Sequence, residues 1–237
     1  MAILFSDIYG KAIALFDDPK ITIAYETNKI QFHKLMYTYL QNAIAMFTNP
    51  ASVGIRLVDY NVPVGTMETF ESDGDTTSFV LSDDFPIMEN SLYNYIEGNQ
   101  LACGTFDPET KTVTFPDVIP DGQQYAFEQY YVGEFTNEFV KMQNLTQAGN
   151  TLIVEEIKDI LARLLVKAWA ESERNMLLDI RNLMQDSDFK ITGNDKILKS
   201  KNLWVDQLDT EIMQLQNKLA WNIRFMNGSV NVGIGRG

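Results

Sequence analysis

The sequence predicts an α+β fold in which a helical body with a long αα-hairpin carries an inserted antiparallel β-sandwich. Both flanks place apolar residues at helical spacing, whereas the middle has short alternating runs between turn residues. The net charge of −13 also lies entirely in residues 51–149, where three basic residues stand against sixteen acidic ones. We therefore expect an N-terminal part of the body (1–50), an acidic sandwich (51–135), the rest of the helical body (136–224) and an extended docking arm (225–237).

The first fifty residues predict two helices. Apolar residues at spacings of three to five indicate a short helix over 4–16, which ends before Pro19 because proline disfavours helix in the residue that precedes it. The β-branched run 21–25 predicts an extended segment. A longer helix is predicted over 28–47, with Asn28 as its N-cap.

The middle of the chain predicts short strands. Alternation indicates strands at 53–57, 79–81 and 112–115, and the run 123–132 is rich in Tyr and Phe. Turn sequences such as Asp-Gly-Asp, Glu-Gly-Asn, Asp-Pro-Glu and Pro-Asp-Gly separate these runs. Strands of about six residues with a turn roughly every ten residues favour a small antiparallel sandwich.

The remainder predicts a pair of long helices. A short helix is predicted over 136–148, and apolar stripes then indicate helices over 151–185 and 201–224. At about 1.5 Å per residue the first of the long helices would extend for about 50 Å. The two should pack as an αα-hairpin, and residues 227–237 predict an extended tail.

Composition excludes several classes of site. His33 is the only histidine and Cys103 the only cysteine, so a multi-cysteine zinc site is excluded and no catalytic residues or cofactor are predicted. The chain has no apolar run of about 18 residues, so no transmembrane helix is expected. The N-terminus lacks the basic start of a signal peptide. The acidic balance argues against nucleic acid as an attractive partner, because such affinity depends on neutralising phosphates.

Two features of the middle segment leave alternatives open. The acidic run 71–75 alternates like a calcium loop, but its glycine stands in the wrong place, so a solvated acidic loop is the other interpretation. The aromatic residues of 93–131 could line a sugar-binding face, although alternation indicates that about half of them are sandwich core.

Short motifs in the same region resemble small β-sandwich modules of tailed-phage virion proteins. The motifs are Phe79-Val-Leu-Ser-Asp, Tyr95-Ile-Glu-Gly98, Thr112-Val-Thr-Phe115, Pro120-Asp-Gly122 and Tyr130-Tyr-Val-Gly-Glu-Phe135. The helical hairpin and the glycine-ended tail resemble head-to-tail connector proteins of the neck or adaptor type, which form rings between portal and tail.

The resemblance implies a non-enzymatic virion protein, assembled in the host cytoplasm. It implies a homo-oligomeric ring, twelve-fold by family analogy, that contacts the portal and tail or neck proteins and lets genome DNA pass without specific binding. The acidic residues expected to face that DNA are Glu71, Asp73, Asp75, Asp83 and Asp84. The arm residues expected to dock on a partner are Val230, Val232, Ile234 and Arg236. A tail or baseplate component, or a carbohydrate-binding host-attachment module, is the alternative.

Overall fold

The computed structural model describes residues 3–16, 18–82, 91–97, 100–101, 105–118, 120–136, 147–185 and 194–228. Within them the chain combines helices with antiparallel sheets, which confirms the predicted α+β class. The helices are α1 (Phe5–Ile13), α2 (Pro19–Thr27), α3 (Lys29–Met46), α4 (Ala51–Gly54), α5 (Gln147–Gln185) and α6 (Asn194–Gly228), with a 3-10 turn, Ile55–Val58, after α4. The strands are β1 (Ile3–Leu4), β2 (Tyr60–Asn61), β3 (Val64–Glu71), β4 (Ser78–Val80), β5 (Ser91–Glu97), β6 (Gln100–Leu101), β7 (Thr105–Asp107), β8 (Thr112–Thr114), β9 (Gln124–Tyr131) and β10 (Glu134–Phe135).

Helices α5 and α6 form the predicted hairpin. Their polar contacts pair residues in opposite chain order, which shows that the helices are antiparallel: Glu156 with Asn222, Arg163 with Glu211, and Glu173 with Lys201. Both helices are longer than predicted, because α5 begins at residue 147 and α6 spans 194–228. Residues 225–228, predicted as the start of the arm, are therefore the last turn of a helix.

One apolar core holds the helical body together. It combines side chains from α1, α3, α5 and α6, including Ile8, Met36, Leu161 and Leu219, which are fully buried. Helices α1, α3 and α6 each contribute one stripe of residues, whereas α5 lies at the centre and is buried on most sides between residues 160 and 170. Burial of these apolar surfaces, at about 25 cal/mol per Å², is the main stabilising contribution to the body.

Two segments predicted as extended are helical. Residues 21–25 belong to α2, because Pro19 at its first position and the Asp18 carboxylate, which accepts a hydrogen bond from the Lys20 amide at 2.9 Å, start a helix there. Residues 53–57 form α4 and the 3-10 turn, where Val53 and Leu57 lie on the same side and are fully buried in the body core.

Helix α3 follows its predicted bounds closely. The Asn28 side chain accepts a hydrogen bond from the Gln31 amide at 3.0 Å, which confirms Asn28 as the N-cap. Most of the predicted short helix over 136–148 falls on residues 137–146, which lie outside the described residues. The predicted tail from residue 229 onward also lies outside them.

A small sheet connects the body to the sandwich. Its order is β1-β10-β2, all antiparallel. Phe135 is fully buried, and its ring meets the Phe5 ring edge-on at 5.0 Å between centroids. Gly133, just before β10, has φ +84°, and a Cβ there would lie 2.7 Å from the Phe5 ring. Only glycine fits this backbone position.

The inserted module is the predicted antiparallel sandwich. A four-stranded sheet of order β3-β9-β5-β6 packs on a three-stranded sheet of order β4-β8-β7. Both sheets contribute rings and aliphatic side chains to one core: Phe70, Phe79, Leu81, Tyr93, Phe106, Val113, Phe115 and Phe127. The first sandwich strand begins at Val64, so residues 51–61 pack with the helical body instead.

Helix α3 fixes the sandwich to the body. Ile30 is fully buried against Tyr130 and Val132 on the outer face of the four-stranded sheet. The Lys34 ammonium lies 2.6 Å from the Glu128 carboxylate and 5.7 Å from the centre of the Tyr130 ring. Apolar burial and an ion pair thus connect the sandwich to α3 at the end of β3 that is nearer the body.

Candidate assembly surfaces

The sandwich ends in an acidic tip. Strand β3 leaves the body at Val64 and reaches Glu71 about 23 Å away, at about 3.3 Å per residue. Glu71, Asp73 and Asp75 are exposed there, on the strand end and in the turn that follows. A Cβ at Gly74 would lie 3.0 Å from the Cβ of Asp121, which places this carboxylate beside the turn. We define the acidic tip as Glu71, Asp73, Asp75 and Asp121.

The acidic tip contains three of the five predicted acidic residues, together with Asp121, which was not predicted from the sequence. Asp121 stands about fifty positions from the β3–β4 turn, and its only sequence signal is the Pro-Asp-Gly turn. Hydrogen bonds from the Gly122 amide to the Ser72 carbonyl (2.9 Å), and from the Ser72 amide to the Gln123 carbonyl (2.9 Å), bring the two turns together. Asp83 and Asp84 lie outside the described residues.

Asp73 has a structural use within the tip. Its carboxylate accepts hydrogen bonds from the Thr76 hydroxyl (2.5 Å) and from the amides of Thr76 (2.7 Å) and Asp75 (3.0 Å). These bonds, that of the hydroxyl first, lower the pKa of Asp73 to about 2. Asp73 is therefore charged at neutral pH and stabilises the turn. Within the described residues, no group of three or more His, Cys, Asp and Glu could hold a metal ion.

The candidate sugar-binding aromatics lie mainly in packed regions. The rings of Tyr93, Phe106 and Phe127 pack against one another in the sandwich core, with centroid separations of 4.8 to 5.6 Å. Phe115 is buried in the same core, and Tyr130 is buried beneath α3. Among the described side chains of this set, none is exposed; the side chains of Tyr95 and Tyr125 lie outside the described part of the structure.

The only histidine is a core residue. His33 lies on α3 and is 3% exposed, with the Tyr9 ring 5.0 Å and the Phe32 ring 5.8 Å from its own. Burial, followed by the nearby charge of Lys29, lowers the pKa of His33 to about 4. This residue is therefore neutral at physiological pH and almost completely shielded from solvent. Cys103 lies outside the described residues.

Helix α6 presents an aromatic pair to solvent. Trp221 and Phe225 are 61% and 60% exposed, and their rings stack with centroids 5.1 Å apart and planes at 10°. They lie opposite the buried stripe that includes Leu219 and Ile223. Their sequence signal, a Trp and a Phe four positions apart and outside the apolar stripe, did not lead to a prediction.

The charge of this part of α6 is opposite to that of the sandwich. Residues 212–237 contain no acidic residue and three basic ones, Lys218, Arg224 and Arg236. Residues 64–131 contain one lysine and thirteen acidic residues. Arg224 is exposed beside the aromatic pair, while Lys218 contacts Glu156 at 3.1 Å. The predicted docking residues Val230, Val232, Ile234 and Arg236 lie outside the described residues.

Comparison with known proteins identified no relative of this chain. No family model, no curated protein and no solved structure matched it. In the part of the chain that the structure describes, no helix combines the length and the apolar character needed to cross a membrane.

Proposed function

We propose that this protein is a non-enzymatic structural component of a tailed-phage virion, a ring-forming connector between portal and tail. The observation that supports it most is the pairing of a long antiparallel hairpin with a sandwich that ends in an acidic tip. A 39-residue helix of about 58 Å exceeds what a compact body of this size requires. Such hairpins can pack side by side around a ring.

The acidic tip suits a surface past which DNA moves. In this proposal the tips line the passage, and their carboxylates repel the phosphate backbone so that the genome does not adhere. Asp73 remains ionised at any pH near neutrality because its pKa is about 2. By family analogy the ring has twelve copies and meets the portal on one side and tail or neck proteins on the other.

The arm that follows α6 supplies the second contact in this proposal. Val230, Val232 and Ile234 alternate with small or polar residues, a pattern that can add a strand to a sheet edge of a partner. The proposal therefore assigns residues 229–237 to docking on the neighbouring virion protein, with Arg236 available for a carboxylate of that partner.

The test measures assembly with portal. Full-length protein and a chain ending at Gly228 are each mixed with the purified portal of the same phage, and the mass of the complexes is determined. Ring-sized complexes that form with the full chain and fail with the truncation support the proposal. A monomer of about 27 kDa in every mixture refutes it. Recovery in purified virions away from the portal would reassign the protein to the tail or baseplate.

The tip has a separate test. D75N/D121N removes two exposed charges but leaves the Asp73 hydrogen bonds intact, so folding and ring formation should be unchanged. We expect assembled rings of this variant to retain duplex DNA at salt concentrations that release it from wild-type rings. E109Q, on the β7–β8 turn, is the matched control. Equal DNA retention by the variant and the wild type would contradict a passage lined by the tip.

A further inference from the structure

The exposed aromatic pair of α6 has the properties of a binding anchor. Trp221 and Phe225 are four residues apart, so both project from the same side of the helix, and Arg224 lies three residues after Trp221 on that side. The rings stack on each other, so little side-chain freedom remains to be lost on binding. Trp, Tyr and Arg are the residue types most enriched among those that dominate the binding energy of protein interfaces.

A complementary surface exists on the sandwich. On the outer face of the four-stranded sheet, α3 covers the end at Tyr130 and Glu128. Beside Glu128, its partner Met67 on β3 is 64% exposed, and Glu71, four residues further along the strand, is also exposed to solvent. Both belong to the outer face, because residues two or four apart on a strand point to the same side. Among the described strands β3 pairs only with β9, so it is also a sheet edge.

We infer that Trp221, Phe225 and Arg224 of one copy dock on Met67 and Glu71 of β3 in a second copy of this chain. This inference rests on the proposed ring. The two aromatic rings remain about 60% exposed within one chain, so the chain's own sandwich does not cover them. Charge selects the partner: the α6 segment has no acidic residue from position 212 onward, whereas the sandwich has a single lysine.

The two patches differ, which determines the kind of assembly. A contact between unlike surfaces is heterologous, and repeating it generates a closed ring when the rotation between copies closes. Each copy then donates the end of α6 to one neighbour and receives the other neighbour on β3. Glu71 is used in this contact, and Asp73, Asp75 and Asp121 of the acidic tip remain free to face the passage.

The test measures the self-association of full-length protein by sedimentation velocity, over a range of concentrations at low and high salt. We expect the wild type to associate, and W221S/F225S to associate at least about 30-fold more weakly. R224E and E71R should each weaken association about tenfold, and the exchanged pair R224E/E71R should regain most of it. I23S is the matched control, because Ile23 is 55% exposed on α2, away from both patches.

Several results would overturn the inference. The first is a wild type that stays monomeric at every concentration. The second is a W221S/F225S variant that associates as strongly as the wild type. The third is an exchanged pair, R224E/E71R, whose association is no stronger than that of the single variants. Loss of portal binding by W221S/F225S with self-association intact assigns the aromatic pair to the portal instead. A different result would refute the proposed function. In that result self-association depends on Trp221, but the protein does not bind portal and is not found in purified virions. Thermal unfolding of each variant verifies that folding is unchanged.

Discussion

Lowering the pH from 8 to 5 is expected to destabilise this protein through its only histidine. His33 has a pKa of about 4 in the folded chain and about 6.5 when unfolded. Between those values the unfolded chain binds more protons, so the free energy of unfolding decreases as the pH falls. The stability present above pH 6.5 is lost towards pH 4, with a limit of about 3 kcal/mol, and about 2 kcal/mol of it is lost between pH 8 and pH 5.

The assay compares urea unfolding of the wild type and His33→Leu at pH 8, 6.5 and 5. Leucine has a similar volume, and among the described residues the buried Nδ1 of His33 has no hydrogen-bond partner, so the variant should be at least as stable at pH 8. Its advantage over the wild type should grow by about 2 kcal/mol at pH 5. Carboxylates contribute equally to both proteins and cancel in the difference.

Two results would refute this reasoning. One is an identical dependence on pH in both proteins. The other is a native-state titration of the single histidine ring near pH 6.5 by NMR, which would show that burial does not disfavour the charged imidazole. The NMR measurement needs only the wild type, so it decides the question even if His33→Leu does not fold.

Two further predictions concern the backbone. Gly133→Ala should lower the free energy of unfolding by about 2–4 kcal/mol, because of its positive φ and the contact with the Phe5 ring. The control, Gly10→Ala, lies in helix α1 with open space around a Cβ and should raise the free energy of unfolding by about 1 kcal/mol. Equal effects of the two substitutions in urea unfolding would contradict the clash at Gly133. Asn28→Ala should cost about 1 kcal/mol by loss of the N-cap of α3, whereas Asn28→Ser should retain most of the stability; a neutral alanine variant in thermal unfolding would show that the cap does not stabilise the helix.

Sequence patterns predicted the elements whose signals are local. The apolar period of 3.6 residues indicated α3, α5 and α6, and the turn chemistry between alternating runs indicated the sandwich. The prediction was wrong at 21–25 and 53–57. At 21–25 β-branched residues suggested a strand, but proline and aspartate at the helix start determined a helix. At 53–57 alternation suggested a strand, but burial of residues four apart in the body core accompanies a helical turn. Intrinsic β-propensity is weak beside such contacts.

The candidate surfaces were partly predictable for the same reason. Glu71, Asp73 and Asp75 are close together in sequence, so composition alone identified them. Asp121 joins the tip through backbone hydrogen bonds between two distant turns, and the exposure of Trp221 depends on which stripe of α6 packs on α5. Neither of these contacts has a local signature.

Local sequence patterns specify the α+β class, the helical hairpin, the inserted sandwich and the concentration of negative charge in the middle of the chain. These follow from periodicity, turn residues and charge, all of which act over a few neighbouring positions. Tertiary packing places residues 51–61 with the helical body and the acidic tip at the far end of the sandwich, and it leaves an aromatic pair exposed on the basic C-terminal end of α6. Those properties depend on which surfaces remain after elements distant in the chain have packed together.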